Sequence, residues 1–322
     1  MATASQGYKV VGTSPTRGDG IDKVTGRAQF GADMNLPGML YAKVLRSPHA
    51  HARIKSIDTS KAEAHPDVRA VITAADLADL PPVGPVAVLG QVPVENTLAR
   101  GKALYKGHPI AAIAAENAHV AEGLLSLIEI EYEILPAYTN VEDAMAVDAA
   151  PLHEDWPDNP ELPGGKNVGS QDQYRYGDPD EGIAQADRVI EREFRTSSVH
   201  QGYIEPQSAT AWWAPEGRLT IWGSSQGHFA VRDGVARLLD LPVSAIKVVP
   251  MEIGGGFGGK MPPYVEPLAA LLSKKSGQPV KLSMDRTDVF QATGPTSGGL
   301  IRIKMGYTND GRISGATAWF AF

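Results

Sequence analysis

Five glycines stand within the six residues Gly254 to Gly259, interrupted only by Phe257 and followed by Lys260. A backbone so free of Cβ atoms turns tightly and brings its N–H groups close to an anion or to a cofactor's oxygens. Two phosphate-binding patterns nearly fit. As a P-loop the stretch reads Gly254-x-x-x-x-Gly259-Lys260, but Met261 follows where a hydroxyl is needed to hold Mg²⁺. As a dinucleotide fingerprint it reads Gly254-x-Gly256-x-x-Gly259 with Asp285 further on. Against that, Pro262 and Pro263 hold the chain extended where such a loop must run straight into its helix. The loop is therefore read as a close-approach surface rather than a nucleotide cradle.

The elements around the loop determine what else reaches it. Apolar patterning predicts strands over 218–222, 245–250 and 280–284, with helices over 229–239 and 265–276 between them. If the three strands run parallel with right-handed crossovers, the segments after the first two lie on one edge of the sheet. That places Gln226 beside Phe257 and Gly258. A neutral amide is a suitable donor to an oxygen on a metal, because it brings no charge into a dry site and ligates weakly. The alternative is that Gln226 caps the helix beginning near Phe229. Glu205 and His228 could line the same pocket.

At 322 residues the chain has room for two domains, and its wealth of Gly (34) and Pro (24) suits an α/β protein rich in turns. No apolar run approaches the ~20 residues of a membrane span. The segment after Met1 shows neither the basic nor the apolar region of a signal peptide, which points to the cytoplasm. The absence of cysteine removes disulfides, thiolate nucleophiles and cysteine-held iron–sulfur clusters from this polypeptide, so electrons would travel onward elsewhere. A net charge of −7 with scattered basic residues argues against nucleic acid as a partner.

Along the chain, residues 1–20 read as an extended arm and 21–144 as a compact first domain of mixed α and β. Within it, strands are predicted over 39–44, 52–57 and 68–73, a short helix over 74–80 and a Pro-rich loop over 81–96. Residues 109–115, 117–125 and 128–133 read as a βαβ-like unit. His49 and His51 have the spacing of a strand-borne metal pair without a third ligand, and read as a structural turn. Residues 145–185 shift to Pro, Asp, Gly and Asn and read as a linker. A second domain over 186–322 adds strands at 186–196 and 208–213 and ends in a hairpin, 300–307 and 312–322, across Asn309, Asp310 and Gly311. Its last residues, Ala-Trp-Phe-Ala-Phe, are an apolar strand that would invite pairing with another chain, so the polypeptide is expected to be incomplete by itself.

These residues together resemble the molybdopterin-binding subunit of the xanthine dehydrogenase family, the molybdenum hydroxylases. The matching pieces are 23–26, 37–40, 45–48, 50–53, Gly107 with Pro109, Glu205-Pro206, Ser225-Gln226, 254–260, 266–270 and Asp285-Arg286, in family order. The resemblance implies an α/β (α+β) protein: an α/β hammerhead domain, then the first part of the molybdopterin-binding domain. It implies that Gln226 hydrogen-bonds an oxygen ligand of molybdenum, and that Gly255, Gly256, Phe257 and Gly258 contact the cofactor through the backbone. The cofactor would be molybdenum-molybdopterin, with the cytosine dinucleotide form left open and the metal held by the pterin's dithiolene sulfurs. Iron–sulfur clusters and FAD would lie on partner subunits. Met261 stands where xanthine-type relatives place a substrate-binding glutamate, which speaks against purine oxidation. The general base lies far toward the family's C-terminus and is assigned to no residue here. It is expected on a second molybdopterin subunit, as in the split-gene arrangement of nicotinate dehydrogenase. The rival expectation is a non-catalytic remnant or assembly partner that keeps the fold and binds no cofactor.

Overall fold

Pro109–Ala115 is apolar at every position and buried at every position. A strand of that kind must be covered on both faces. The computed structural model, which describes residues 8–77, 94–154 and 167–322, shows the two covers. In chain order the strands here are β1 (Leu40–Arg46), β2 (Ala52–Asp58), β3 (Val68–Thr73), β4 (Lys102–Ala103), β5 (Pro109–Ala115) and β6 (Glu129–Ile134). Strand β5 lies between β1 and β3 and is antiparallel to both. Ala111 and Ile113 share one core with Leu124 and Ile128, next to the Ala118–Leu124 helix that Asn117 caps. Ala112 and Ala114 share the main core with Leu268 and Leu272 of the Glu266–Ser276 helix. Each such fully buried Leu or Ile contributes about 1.5–3 kcal/mol relative to exposure.

The site-bearing strands are β8 (Ser208–Trp213), β9 (Leu219–Gly223), β10 (Ile246–Pro250) and β11 (Val280–Ser283). They join β1, β3 and β5 in one seven-stranded sheet of order β10-β9-β8-β11-β1-β5-β3. Strand β10 is parallel to β9, and β8 is antiparallel to both β9 and β11. Hence β9, β10 and β11 run the same way, as the sequence predicts, although β8 separates β11 from the other two. The parallel pairing of Leu40–Ala42 with Val280–Leu282 carries the sheet from one half of the chain into the other.

Three local expectations are corrected. Strands β5 and β6 do not form a βαβ unit: β6 pairs antiparallel with β2 in a separate sheet of order β4-β2-β6. The crossover over 117–125 is therefore a passage between sheets. Its alternating strand β6 is half exposed, in contrast to β5. The stretch 145–185 contains a helix, Pro179–Ala184, started by Asp178, whose side chain accepts from the Glu181 N–H, with proline at the first turn. The predicted helix over 74–80 is a 3₁₀ turn, Ala74–Asp76, up to the last described residue, Leu77. Most of the Pro-rich loop over 81–96 lies outside the described residues.

A third sheet, order β13-β12-β7, is formed by β7 (Arg188–Thr196), β12 (Gly299–Tyr307) and β13 (Ile313–Ala321). The Pro179–Ala184 helix packs on the face where Gly306 and Gly315 pair; a Cβ on Gly315 would come within 2.5 Å of the Pro179 carbonyl oxygen. The opposite face carries the rows Phe194–Ile301–Phe320 and Ile190–Met305–Ala316. Phe194 and Phe320 are each about half exposed.

Candidate functional site

The loops that leave β9 and β10 meet at their C-terminal ends, on the sheet edge where parallel strands place ligands. Gln226 follows β9. Its N–H donates to the Lys260 carbonyl at 3.0 Å, and the Ser225 hydroxyl donates to the same carbonyl at 3.1 Å. The Gln226 Oε1 accepts from the N–H groups of Gly258 (3.0 Å) and Lys260 (3.1 Å). Helix capping is thereby excluded: the helix His228–Leu238 starts after Gly227 with no side-chain cap. Because Gln226 spends its oxygen on the loop, its NH₂ group is the end left to donate outward, and no described residue accepts from it.

The loop glycines divide by what they do. Gly254, Gly256 and Gly259 are close approaches: an added Cβ would sit at 2.6 Å from Glu205 Cβ, Gln226 Oε1 and Tyr203 Cε1 respectively. Gly258 has φ +91° and faces open space, with no protein atom within 4 Å of an added Cβ. Phe257 between them holds φ +50° and is 74% exposed. A bulky residue in that region is strained by about 1–3 kcal/mol, and such strain collects at ligand clamps. Among the described residues the N–H groups of Gly255, Gly256 and Phe257 have no acceptor. Three successive unpaired donors, an open Cβ position and a donor amide are chemically suited to an oxygen-rich or anionic group.

Glu205, expected at the pocket wall, is turned into the loop instead. Its Oε2 accepts from the Gly254 N–H at 2.7 Å and from the Lys260 ammonium at 2.6 Å, and its Oε1 lies 3.4 Å from the Gly31 N–H. Lys260 is almost fully buried, 5.1 Å above the Tyr203 ring. Burial lowers its pKa against the opposing pull of Glu205. Tyr203 is itself buried and held by Thr293 and Gln207. His228 begins its helix with Nε2 at 3.3 Å from the Gly223 carbonyl, and Met261 is about half exposed just after Lys260. Asp285 caps the Arg286–Ala292 helix through the Asp288 N–H and is thus spoken for structurally. Lys260, Tyr203 and Gly31 are the site's supports that sequence reasoning does not assign. The only signal for them is the lysine that ends the glycine run.

Glu266 closes the rear of the site. Its Oε2 accepts from the N–H groups of Tyr264 (3.0 Å) and Val265 (3.1 Å) at the head of its own helix, and burial pushes the carboxyl above the usual carboxylate range. Between the ordinary value and the raised one the native state keeps a proton that the unfolded chain has released. Stability therefore falls as pH rises through that window. Glu266→Gln keeps an acceptor for both N–H groups. It is expected to melt above the parent near pH 8 and together with it near pH 4, where both states of the parent carboxyl are largely protonated. Calorimetry at the two pH values checks this, and an unchanged difference between them would contradict it.

The sheet edge, the unpaired loop N–H groups and the amide are chemically suited to an oxygen-rich ligand between two loops. Known proteins of similar sequence and fold define the class. Residues 161–321 match the molybdopterin cofactor-binding domain, and residues 25–136 match the a/b hammerhead domain of aldehyde oxidase and xanthine dehydrogenase. The xanthine dehydrogenase molybdenum-binding subunit of Escherichia coli is 34% identical over 305 residues, covering 93% of this chain and 39% of that protein. The nicotinate dehydrogenase large molybdopterin subunit of Eubacterium barkeri is 33% identical over 306 residues, covering 95% of this chain and 68% of that one. The solved structure of quinoline 2-oxidoreductase from Pseudomonas putida 86 superposes with a TM-score of 0.82 at 32% identity, over 94% of this chain and 38% of its own. The chain belongs to the xanthine dehydrogenase family of molybdenum hydroxylases. It spans about two fifths of the length of several of these relatives.

Proposed function

We propose that this chain supplies the hammerhead region, 21–144, and one wall of the cofactor pocket, within 186–322, of a molybdenum hydroxylase. The reaction is hydroxylation of a carbon centre in an aromatic heterocycle or an aldehyde, with oxygen from water and two electrons leaving to iron–sulfur and FAD partners. The observation that carries this is the paired loop: Gln226 Oε1 bound to the Gly258 and Lys260 N–H groups, with the N–H groups of Gly255, Gly256 and Phe257 left without an acceptor among the described residues. Molybdenum-molybdopterin, when bound, supplies the two-electron redox chemistry and the activation of water. The residues of this chain that would hold it are Gly255, Gly256 and Phe257, donating through the backbone, and Gln226, donating through its amide, with Gly258 leaving the space. Among the described residues, neither carboxylate at the site is placed to take the substrate proton, because Glu205 is engaged by Lys260 and Glu266 accepts from its own helix. That step belongs to the portion of the relatives' length that these residues do not span. Turnover of N-heterocycles and aldehydes in ¹⁸O-labelled water tests the reading. Label in the product is expected, and product formed without it would refute the reading.

The face bearing Ile190, Phe194, Met305 and Phe320 supports a partner polypeptide of this kind, since half-exposed aromatic rows mark an interaction surface. Co-expression with the polypeptide matching the remainder of the relatives' length is expected to give a stable complex across an interface of roughly 2,000 Å² or more. Phe320→Asp is expected to lower its yield at least about tenfold, since a charge buried there is left unpaired. Equal yields by gel filtration would remove this face from the interface.

A further inference from the structure

We infer that Glu205 is the positioning residue of the cofactor loop, fixing through Lys260 the arc of residues 254–260. The inference rests on the reading of that arc as the cofactor contact and adds what sets its shape. A single oxygen, Glu205 Oε2, takes both the N–H of Gly254 at the start of the arc and the ammonium of Lys260 at its end, at 2.7 and 2.6 Å. The Glu205 N–H in turn donates to the Gly254 carbonyl at 3.2 Å, and its second oxygen faces the Gly31 N–H. The arc is thus closed like a clasp on one carboxylate. Gln226 ties only its second half, through Gly258 and Lys260.

The clasp is dry. The Lys260 side chain is 1% exposed and that of Glu205 10%. In such surroundings the pair is specific in geometry, and neither partner can relax toward water. A flexible run of five glycines would otherwise sample many shapes, and the unpaired N–H groups of Gly255, Gly256 and Phe257 would be placed differently in each. Preorganising them is what Glu205 does here. It acts through Lys260 and the Gly254 backbone rather than by touching the substrate.

The test uses the assembled enzyme with Glu205→Gln, Lys260→Met and the two combined. Each single change strands a buried charge or its counterpart and should lower the melting temperature. The combined variant leaves no buried charge and should recover it. If the pair served only to neutralise itself, everything else would recover as well. The positioning role predicts otherwise: molybdenum content in the combined variant stays at least about tenfold below the parent. The N–H groups of Gly254, Gly258 and Lys260 also exchange with deuterium at least about tenfold faster, while those of β9 and β10 are unchanged. Parental metal content and parental loop exchange in the combined variant would overturn the inference. Should that variant fail to fold, Glu205→Asp keeps the charge but withdraws the carboxylate by one methylene. The same two changes are expected of it, and parental values would again overturn the inference. If the unsubstituted complex holds no molybdenum, the reading of the loop as cofactor contact fails. The exchange comparison still decides whether Glu205 fixes the arc.

Discussion

Replacing Gly258 with valine is expected to strip the assembled enzyme of molybdenum while leaving its fold intact. The residue sits at φ +91°, where a β-branched side chain is strained by about 1–3 kcal/mol. Its added Cβ meets no atom of the described residues within 4 Å, so the strain comes with no clash among them. The added volume instead enters the open space at the loop proposed to hold the cofactor. Strain of this size is too small to unfold a domain, whose stability is ordinarily about 5–15 kcal/mol. Gly26→Ala provides the control: φ is +74° there too, again with nothing within 4 Å, but the residue ends the short Gly20–Thr25 helix. It should lose a similar amount of stability and no molybdenum. Metal analysis of both purified variants decides the matter. Full molybdenum occupancy in Gly258→Val would reduce the loop to a tight turn.

Gln226→Ala is expected to lower turnover about ten- to a hundredfold, the ~1.4–2.7 kcal/mol that a lost active-site hydrogen bond can cost. The geometry separates two contributions to that loss. The Gln226 oxygen satisfies two loop N–H groups, and its NH₂ is the only part available to donate to a bound group. Glu at position 226 would still accept from the Gly258 and Lys260 N–H groups, but would offer no donor and would add a charge. Gln226→Glu should therefore keep the loop's protection from hydrogen exchange and still lose turnover as Gln226→Ala does. Retained turnover in Gln226→Glu would show that the amide serves the loop alone.

The sequence makes much of this edge legible because its signals are local. Apolar runs predict β9, β10 and β11 to within one or two residues. Their common direction is enough to put Gln226 on the same edge as Phe257 and Gly258. What is not legible depends on partners far apart in the chain. The pairing of Leu40 with Val280, which makes one sheet of seven strands, has no local signature. Neither does the contact of Glu205 with Lys260, 55 residues apart, which turns an expected pocket residue into a clasp. The Arg286–Ala292 helix escapes the sequence reading for a different reason. Its capping box, Asp285 with Asp288, is present, but Asp285 also suits the acidic position of a dinucleotide pattern. Likewise, the Pro- and Gly-rich composition of 145–185 hides the Asp178–Pro179 start of a helix.

The loops after β9 and β10 are proposed to hold molybdopterin. Joint molybdenum and pterin analysis of the purified complex, unsubstituted and with Gly258→Val, is the sharpest test. Molybdenum and pterin are expected in equal amounts, stoichiometric with this chain in the unsubstituted complex, and both lost together in the variant. An unsubstituted complex, fully assembled with its partners, that contains neither would contradict it.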